Sequence, residues 1–327
     1  MGEGDPLPGG YHVPVLPEQV LSALRPRDGG SYIDMTVGGA GHASLVLQAA
    51  DCRLLALDRD PEAVTRATRR LAPFGARATV VHAPFDRVAE VAARHGFAGA
   101  DGILMDLGVS SRQLDSAERG FSFRADAPLD MRMDPTTGAT AADLVNTLDE
   151  AELARIFIEY GEERHARRIA RAIVAARAAA PIATTLTLAG LVERSVPGQR
   201  GQRRIHPATR VFQALRIAVN DELGMLARAL PDAFGLLAPG GRLAVISFHS
   251  LEDRMVKQTM RDWCTGCVCP PSFPECRCGR APQARPVTRG AAMATEAETG
   301  ANPRARSARL RAVEKLAASG EKAPQSA

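Results

Sequence analysis

A glycine turn flanked by two carboxylates carries the first chemical signal in this sequence. Asp34-Met-Thr-Val-Gly38-Gly39-Ala40-Gly41-His42 follows a short apolar run and leads into a helical pattern. In that context glycines let a ligand approach the backbone closely. Asp58 ends the next apolar run, 24 residues after Asp34. An ionised carboxylate there can accept both hydroxyls of a ribose. The turn lacks the G-x-G-x-x-G spacing of dinucleotide sites, and an acid precedes its glycines. That acid suits an ammonium group better than a diphosphate. The pattern therefore favours S-adenosylmethionine, with its zwitterionic aminoacyl end, over a nicotinamide dinucleotide. A tight strand–helix turn without a ligand is the plain alternative.

Asp106 ends a further apolar run, Gly102–Met105, and opens Asp106-Leu-Gly-Val-Ser-Ser-Arg-Gln113. Ligands of open α/β sheets bind beyond the carboxyl ends of strands, so Asp106 belongs in the same crevice. An exocyclic amine is a poor nucleophile because its lone pair is delocalised into the ring. Acceptors on its N–H groups would aim that lone pair at a methyl donor, and a carboxylate is one such acceptor. Two roles fit Asp106: catalysis by this route, or a cofactor or turn contact only.

The elements that must position these residues alternate. Strands are expected at Ser31–Asp34, Arg53–Leu57, Ala78–His82 and Gly102–Met105, with helices at 17–24, 42–49, 61–71 and 85–95. Such alternation predicts a parallel sheet covered on both faces. From Ser116 to Arg210 helical patterns take over, which reads as an insertion. Helix 208–230, strand Gly241–Phe248 and helix 251–263 then resume the sheet, and Ser307–Val313 supplies a last strand. The stretch from Gly279 to Gly300 reads as loose. The expected fold class is α/β: a Rossmann-like methyltransferase sheet with an inserted all-helical domain. The domains are expected at 1–113, 114–210 and 211–327.

Five of the six cysteines crowd between Cys264 and Cys278. A zinc set of Cys264, Cys267, Cys276 and Cys278 is conceivable. Pairs separated by a single residue do not wrap an ion as two ordinary zinc knuckles do, and the expectation is no metal. Cys269-Pro270 also has the look of a cytosine C5-methyltransferase nucleophile, but it lies beyond the helix after the fifth strand, out of reach. Ser247, His249 and Glu252 or Asp253 suggest a hydrolytic triad, yet triads assemble from separate segments. A strand-end loop lining the crevice fits them better.

Many motifs together resemble one family. They are His12-x-Pro-Val-Leu16, Asp34-x-Thr-x-Gly-x-x-Gly-His42, Asp58-Arg-Asp-Pro61, Asp106-Leu-Gly-Val-Ser-Ser111, Arg119-Gly-Phe-Ser-Phe123 and Leu129-Asp-Met-Arg-Met133. Tyr160-Gly-Glu-Glu163, Phe212-Gln-Ala-Leu-Arg216 with Val219-Asn220, Ser247-Phe-His-Ser-Leu-Glu-Asp-Arg254 and Asn302-Pro-Arg-Ala-Arg-Ser307 complete the set. In order, from His12 to Lys315, they resemble the 16S ribosomal RNA cytosine-N4 methyltransferases (ribosomal RNA small subunit methyltransferase H). The resemblance implies methylation of a cytidine amine in the decoding region of bacterial 16S rRNA, within the small ribosomal subunit. It implies S-adenosylmethionine bound at Ala40, Gly41, His42, Asp58, Phe85, Asp106 and Gln113. Ala40 stands where many relatives carry Gly, and its retained backbone amide is expected to preserve binding. Arg112 stands where Pro is common, which leaves the loop before Gln113 less constrained.

Net charge is +4, so the distribution of charge matters more than its sum. Arg164, Arg167, Arg168 and Arg171 recur at helical spacing opposite an apolar stripe. Arg203, Arg204 and Arg210 lie in a segment free of acidic residues. Phosphate contact is the preferred reading of that segment, and for the helical stripe it stands beside a merely solvated face. Asn302 to Arg311 adds a third basic segment. Phe121, Phe123 and Phe248 are candidates to stack an extruded cytosine. No membrane-length apolar run and no secretory leader is read, so a cytoplasmic location is expected.

Overall fold

A computed structural model describes residues 14–196, 206–270, 273 and 275–317. The chain divides into two units: one takes residues up to Gly108 and from Leu226 on, the other Val109–Met225.

The first unit holds a seven-stranded sheet. Its elements begin α1 (Pro17–Leu24), β1 (Ser31–Asp34), α2 (Gly41–Ala49), β2 (Arg53–Asp58), α3 (Pro61–Leu71), β3 (Ala78–His82), α4 (Val88–Arg94) and β4 (Ala100–Asp106). With β5 (Leu237–Ser247), β6 (Ala284–Pro286) and β7 (Arg309–Lys315), strand order is β3-β2-β1-β4-β5-β7-β6. The chain steps outward one way from β1 to β3, then returns to place β4 on the other side of β1. This reversal opens a crevice at the carboxyl ends of β1 and β4. Pairing is parallel through β5, and β7 then runs antiparallel to both β5 and β6.

Successive side chains of a strand point to opposite faces, and here both faces are apolar. Ile33, Leu55, Ile103 and Val245 join one core with Val91, Leu230 and Val256. Tyr32, Leu54, Leu104 and Ala244 join another with Leu24, Leu47 and Leu71. Strands buried on both sides are what a parallel sheet under two helical layers requires.

The second unit is helical: α5 (Ser111–Asp115), α6 (Ala141–Thr147), α7 (Glu150–Glu159), α8 (Ala166–Arg177), α9 (Thr185–Ser195) and α10 (Ala208–Asn220). It extends further than the expected 114–210 on both sides. At its far end α10 packs against α6, α7 and α9, and its Val211, Phe212 and Leu215 enter this unit's core. The helix expected at 208–230 is broken. Asp221 takes a left-handed conformation, φ 48°, and α11 (Glu222–Leu236) starts anew. Asn and Asp tolerate that region best among non-glycine residues, so Asn220-Asp221 was the available signal.

Two motifs of this unit are structural. The Arg119 guanidinium donates to the carbonyls of Arg132 and Met133, at 3.1 and 2.8 Å. Asn220 accepts from the Met133 N–H at 2.8 Å and donates to the Met131 carbonyl at 2.7 Å. The Arg119–Phe123 and Leu129–Met133 segments are thereby fastened together and to the end of α10.

Back in the sheet unit, β5 (Leu237–Ser247), α12 (Ser250–Cys264), β6 (Ala284–Pro286), α13 (Glu296–Ala301) and β7 (Arg309–Lys315) complete the chain. β6 and α13 lie in the stretch read as loose. Three residues of strand give no alternation to detect, and β6 exists because β7 offers it an edge. Among the described residues no helix is long and apolar enough to cross a membrane.

Candidate active site

The reversal of strand order brings three strand-end carboxylates to one edge of the sheet: Asp34 on β1, Asp58 on β2 and Asp106 on β4. Asp58 fixes the turn. Its Oδ2 accepts from Gly38 N–H at 2.8 Å and its Oδ1 from Asp60 N–H at 2.9 Å. Each oxygen has a second lone pair, so the ribose role stays available. Val37 N–H also donates to the Leu57 carbonyl, pinning the turn to β2.

Ala40 sits at φ 58°, ψ 29°, the left-handed region, as the residue before α2. That backbone explains the glycine common there in relatives. Its amide is already engaged: it donates to the Val37 carbonyl at 2.7 Å. Ala40 thus shapes the turn. Gly41 opens α2 with the Pro14 ring against it, where a Cβ would lie 3.1 Å from proline carbon.

His42 is buried, with Nε2 3.7 Å from Asp106 Oδ2. Burial holds its pKa down to about 4, only partly opposed by the Val15 backbone, so the ring is neutral at pH 7. Neither ring nitrogen nor Asp106 Oδ1 makes a well-formed hydrogen bond among the described residues. Buried polar atoms of native proteins are usually paired, so these atoms await a polar ligand. The Asp106 N–H donates to Thr36 Oγ1 at 2.6 Å, which locks the two strand ends together. Asp106 itself is pushed up to about 8, first by burial, then by the neighbouring Asp34 and Glu252 carboxylates. Asp34 rises to about 7, again by burial, with Asp58 adding to it against the Thr36 N–H. A desolvated cluster of acids is short of a cation, and a sulfonium or ammonium would relieve it.

Thr36 was missed as part of this site, whereas Glu252 belongs to the segment after β5 that was expected to line the crevice. Thr36 stands in a motif already noted, and Glu252 lies in the first turn of α12. Phe85 follows β3 in a single tight turn, half-buried against the core. Gln113 falls in the helical unit rather than the sheet domain expected to end there. It caps α5, its Oε1 accepting from Ser110 N–H at 2.9 Å.

The Ser-His-acid group forms no triad. Ser247 Oγ donates to the Arg309 carbonyl at 3.4 Å, while His249 caps α12 by accepting from Glu252 N–H. Asp253 binds Arg309 and Arg311 at 3.1 and 2.8 Å. The carboxyl end of the third basic segment is therefore partly neutralised within the fold.

Arg167, Arg168 and Arg171 are exposed on α8, whose Ile169, Ala170 and Ile173 are buried. Arg164 is exposed but precedes the helix, because α8 begins only at Ala166. Arg171 lies 3.4 Å from Glu150, and Arg210 donates to the Glu162 carbonyl. Arg203 and Arg204 lie outside the described residues. Phe121 is buried in the helical core, and Phe123 packs on Phe212 and His206 at 4.8 and 4.9 Å. Phe248 is half-buried at the end of β5, beside Gly108. The sulfurs that meet are those of Cys267, Cys269, Cys276 and Cys278, so Cys269 stands in the group where Cys264, in the last turn of α12, was considered.

This reversed sheet, its glycine turn and the cation-seeking acids at its edge define an S-adenosylmethionine-dependent methyltransferase. The chain belongs to the MraW methylase family, whose profile matches residues 10–316. A relative from Symbiobacterium thermophilum is 56% identical over 95% of this chain and 98% of its own. One from Geobacter sulfurreducens is 57% identical over 93% and 99%. Both carry the name ribosomal RNA small subunit methyltransferase H.

Cofactor binding should rise with pH. Below pH 7, Asp34 and Asp106 hold protons that a cationic cofactor must displace. The sign is that of groups whose folded pKa is raised: the cofactor-free protein loses stability as pH climbs from about 4 to 8. The cofactor restores it. Calorimetry at pH 6 and pH 8 should give at least roughly tenfold tighter binding at the higher pH, with proton release. S-adenosylhomocysteine, which lacks the fixed sulfonium charge, should show a shallower dependence. A flat profile for both ligands would refute the electrostatic account.

Proposed function

We propose that this protein transfers the methyl group of S-adenosylmethionine to N4 of a cytidine in the decoding region of 16S rRNA, within the small ribosomal subunit in the cytoplasm. The observation that carries this reading is Asp106: a half-buried carboxylate at the end of β4 whose buried Oδ1 is unpaired among the described residues, beside the glycine turn. The names of the relatives supply the RNA.

The cofactor brings an electrophilic methyl group. The chain's task is mostly positioning. Ala40, Gly41, His42, Asp58, Phe85 and Asp106 hold the cofactor, with Ala40 also setting the backbone of the turn, and the family pattern adds Gln113. Once a cation lowers its pKa, Asp106 is an ionised acceptor. In that state it takes a hydrogen bond from the cytidine amino group and draws the nitrogen toward tetrahedral geometry. Phe248 is the aromatic surface available in the sheet unit to bear on an extruded base.

Arg164, Arg167, Arg168, Arg171 and Arg210, with Arg203 and Arg204 in the same basic stretch, make phosphate contacts. Changing Arg167 and Arg168 together to Gln should lower the slope of log affinity against log salt by roughly 1 per arginine. Turnover at saturating subunit should be unchanged. An unaltered slope would remove both residues from the interface.

The direct test incubates the protein with labelled cofactor and unmodified small subunits and identifies the product nucleoside by mass spectrometry. N4-methylcytidine is expected. C5-methylcytidine alone, or no product, defeats the reading.

A further inference from the structure

Residues 265–283, between α12 and β6, form a loop with no regular structure among its described residues. None of those residues is buried. Loops of this length without an apolar floor are uncommon in compact domains. The two ends are nonetheless drawn together. Gln283 N–H donates to the Trp263 carbonyl at 2.8 Å, and the Arg280 guanidinium donates to the Asp262 carbonyl at 2.6 Å. Trp263 is itself stacked on Phe234, ring centroids 4.2 Å apart.

Inside this closed loop four sulfurs converge. The Sγ atoms of Cys267, Cys269, Cys276 and Cys278 all lie within 4.8 Å of one another. Cys276 and Cys278 are 3.6 Å apart, and Cys278 and Cys267 are 3.8 Å apart. A tetrahedron with zinc–sulfur bonds of about 2.3 Å has edges of about 3.8 Å. Two backbone amides already point at these sulfurs: Cys269 N–H at Cys267 Sγ, 3.4 Å, and Arg277 N–H at Cys269 Sγ, 3.3 Å. Amide donors of this kind support thiolates that carry a metal's charge. All four are free thiols. The apparent obstacle of two Cys-x-Cys pairs disappears in three dimensions, because the second pair lies against the first.

We propose that Cys267, Cys269, Cys276 and Cys278 bind one zinc ion, which clamps the 265–283 loop closed. Binding exchanges four thiol protons for four zinc–sulfur bonds, with no redox change. The ion supplies the folding free energy that an apolar core supplies elsewhere. A mononuclear centre fits better than a two-iron cluster, whose thiolates sit on opposite metals and stand further apart.

The test uses the full chain, purified without a histidine tag in reducing buffer. Elemental analysis should find one zinc per chain. Cys269→Ser and Cys278→Ser should each lower the zinc content at least tenfold, whereas Cys264→Ser should retain it. In the unaltered protein under native conditions, only Cys264 of the six cysteines should react with a thiol reagent, chelation should add four more, and the buried Cys52 should react only in denaturant. Chelation should also expose 265–283 to proteases while S-adenosylmethionine binding persists. A metal-free chain with all loop thiols reactive would overturn the proposal. So would iron in place of zinc, or equal loss of zinc in Cys264→Ser.

Discussion

Replacing Asp106 with Asn should lower kcat by roughly 10²–10³-fold, the loss typical of removing one group that stabilises developing charge. The substitution keeps shape and one acceptor oxygen but abolishes the negative charge. The amino nitrogen of the acceptor becomes positive as it attacks, and a neutral amide does not offset that charge. The crevice should accept the change without unfolding. Asp106 is raised to about 8 by burial and by Asp34 and Glu252, so a permanently neutral side chain relieves the cofactor-free protein. Above pH 8 the variant should be the more stable of the two without cofactor. Equilibrium dialysis separates the possible roles of the residue. A large loss of kcat with cofactor affinity changed by less than about tenfold assigns Asp106 to the acceptor amine. Parallel losses in both assign it to the cofactor alone, and unchanged turnover removes it from the mechanism.

The second large effect concerns stability. Gly120 has φ 71°, and a Cβ there would lie 2.4 Å from the Pro128 carbonyl oxygen and 2.6 Å from Asp130 N. Ala at this position carries about 1–2 kcal/mol of left-handed backbone cost. It also drives the Arg119–Phe123 strap off the segment it crosses. A destabilisation of roughly 3–5 kcal/mol is expected, in the range reserved for broken packing. Gly138 is the control. Its φ is 79°, but nothing lies within 4 Å of the would-be Cβ, so Gly138→Ala should cost only about 1 kcal/mol. Urea unfolding of the two variants makes the comparison. Equal shifts would show that backbone conformation, not close approach, governs Gly120. Hydrogen exchange should localise the damage to residues 119–133, where Leu129 and Met131 sit in the helical core.

Much of the site was legible because it is local. A glycine turn between a strand and a helix, an acid at each strand end and a second acid after the next strand are short-range patterns. The sheet physics behind them, apolar on both faces, also repeats within each strand. The elements that were misread depend on partners far away in the chain. β6 is three residues long and is held by β7. α10 reads as the start of one long helix, but its core contacts place it in the helical unit and its end at Asp221 breaks the run. Two arginines of the basic run from Asn302 pair with Asp253, a residue more than fifty positions earlier, whose single charge offsets one of theirs.

The sequence by itself determined the chemistry on offer at the turn from Asp34 to His42: a cofactor with a ribose and a cationic end, next to a strand-end carboxylate. It did so because residue type and spacing fix which hydrogen bonds and charges a short turn can present. Only the tertiary structure decided how those groups are tuned. The reversal between β1 and β4 sets Asp106 beside Asp34, His42 and Glu252, and mutual burial raises both aspartates. Tertiary structure likewise chose Cys269 over Cys264 for the sulfur cluster. Desolvation and convergence are properties of a packed crevice and a folded-back loop, so no spacing along the chain encodes them.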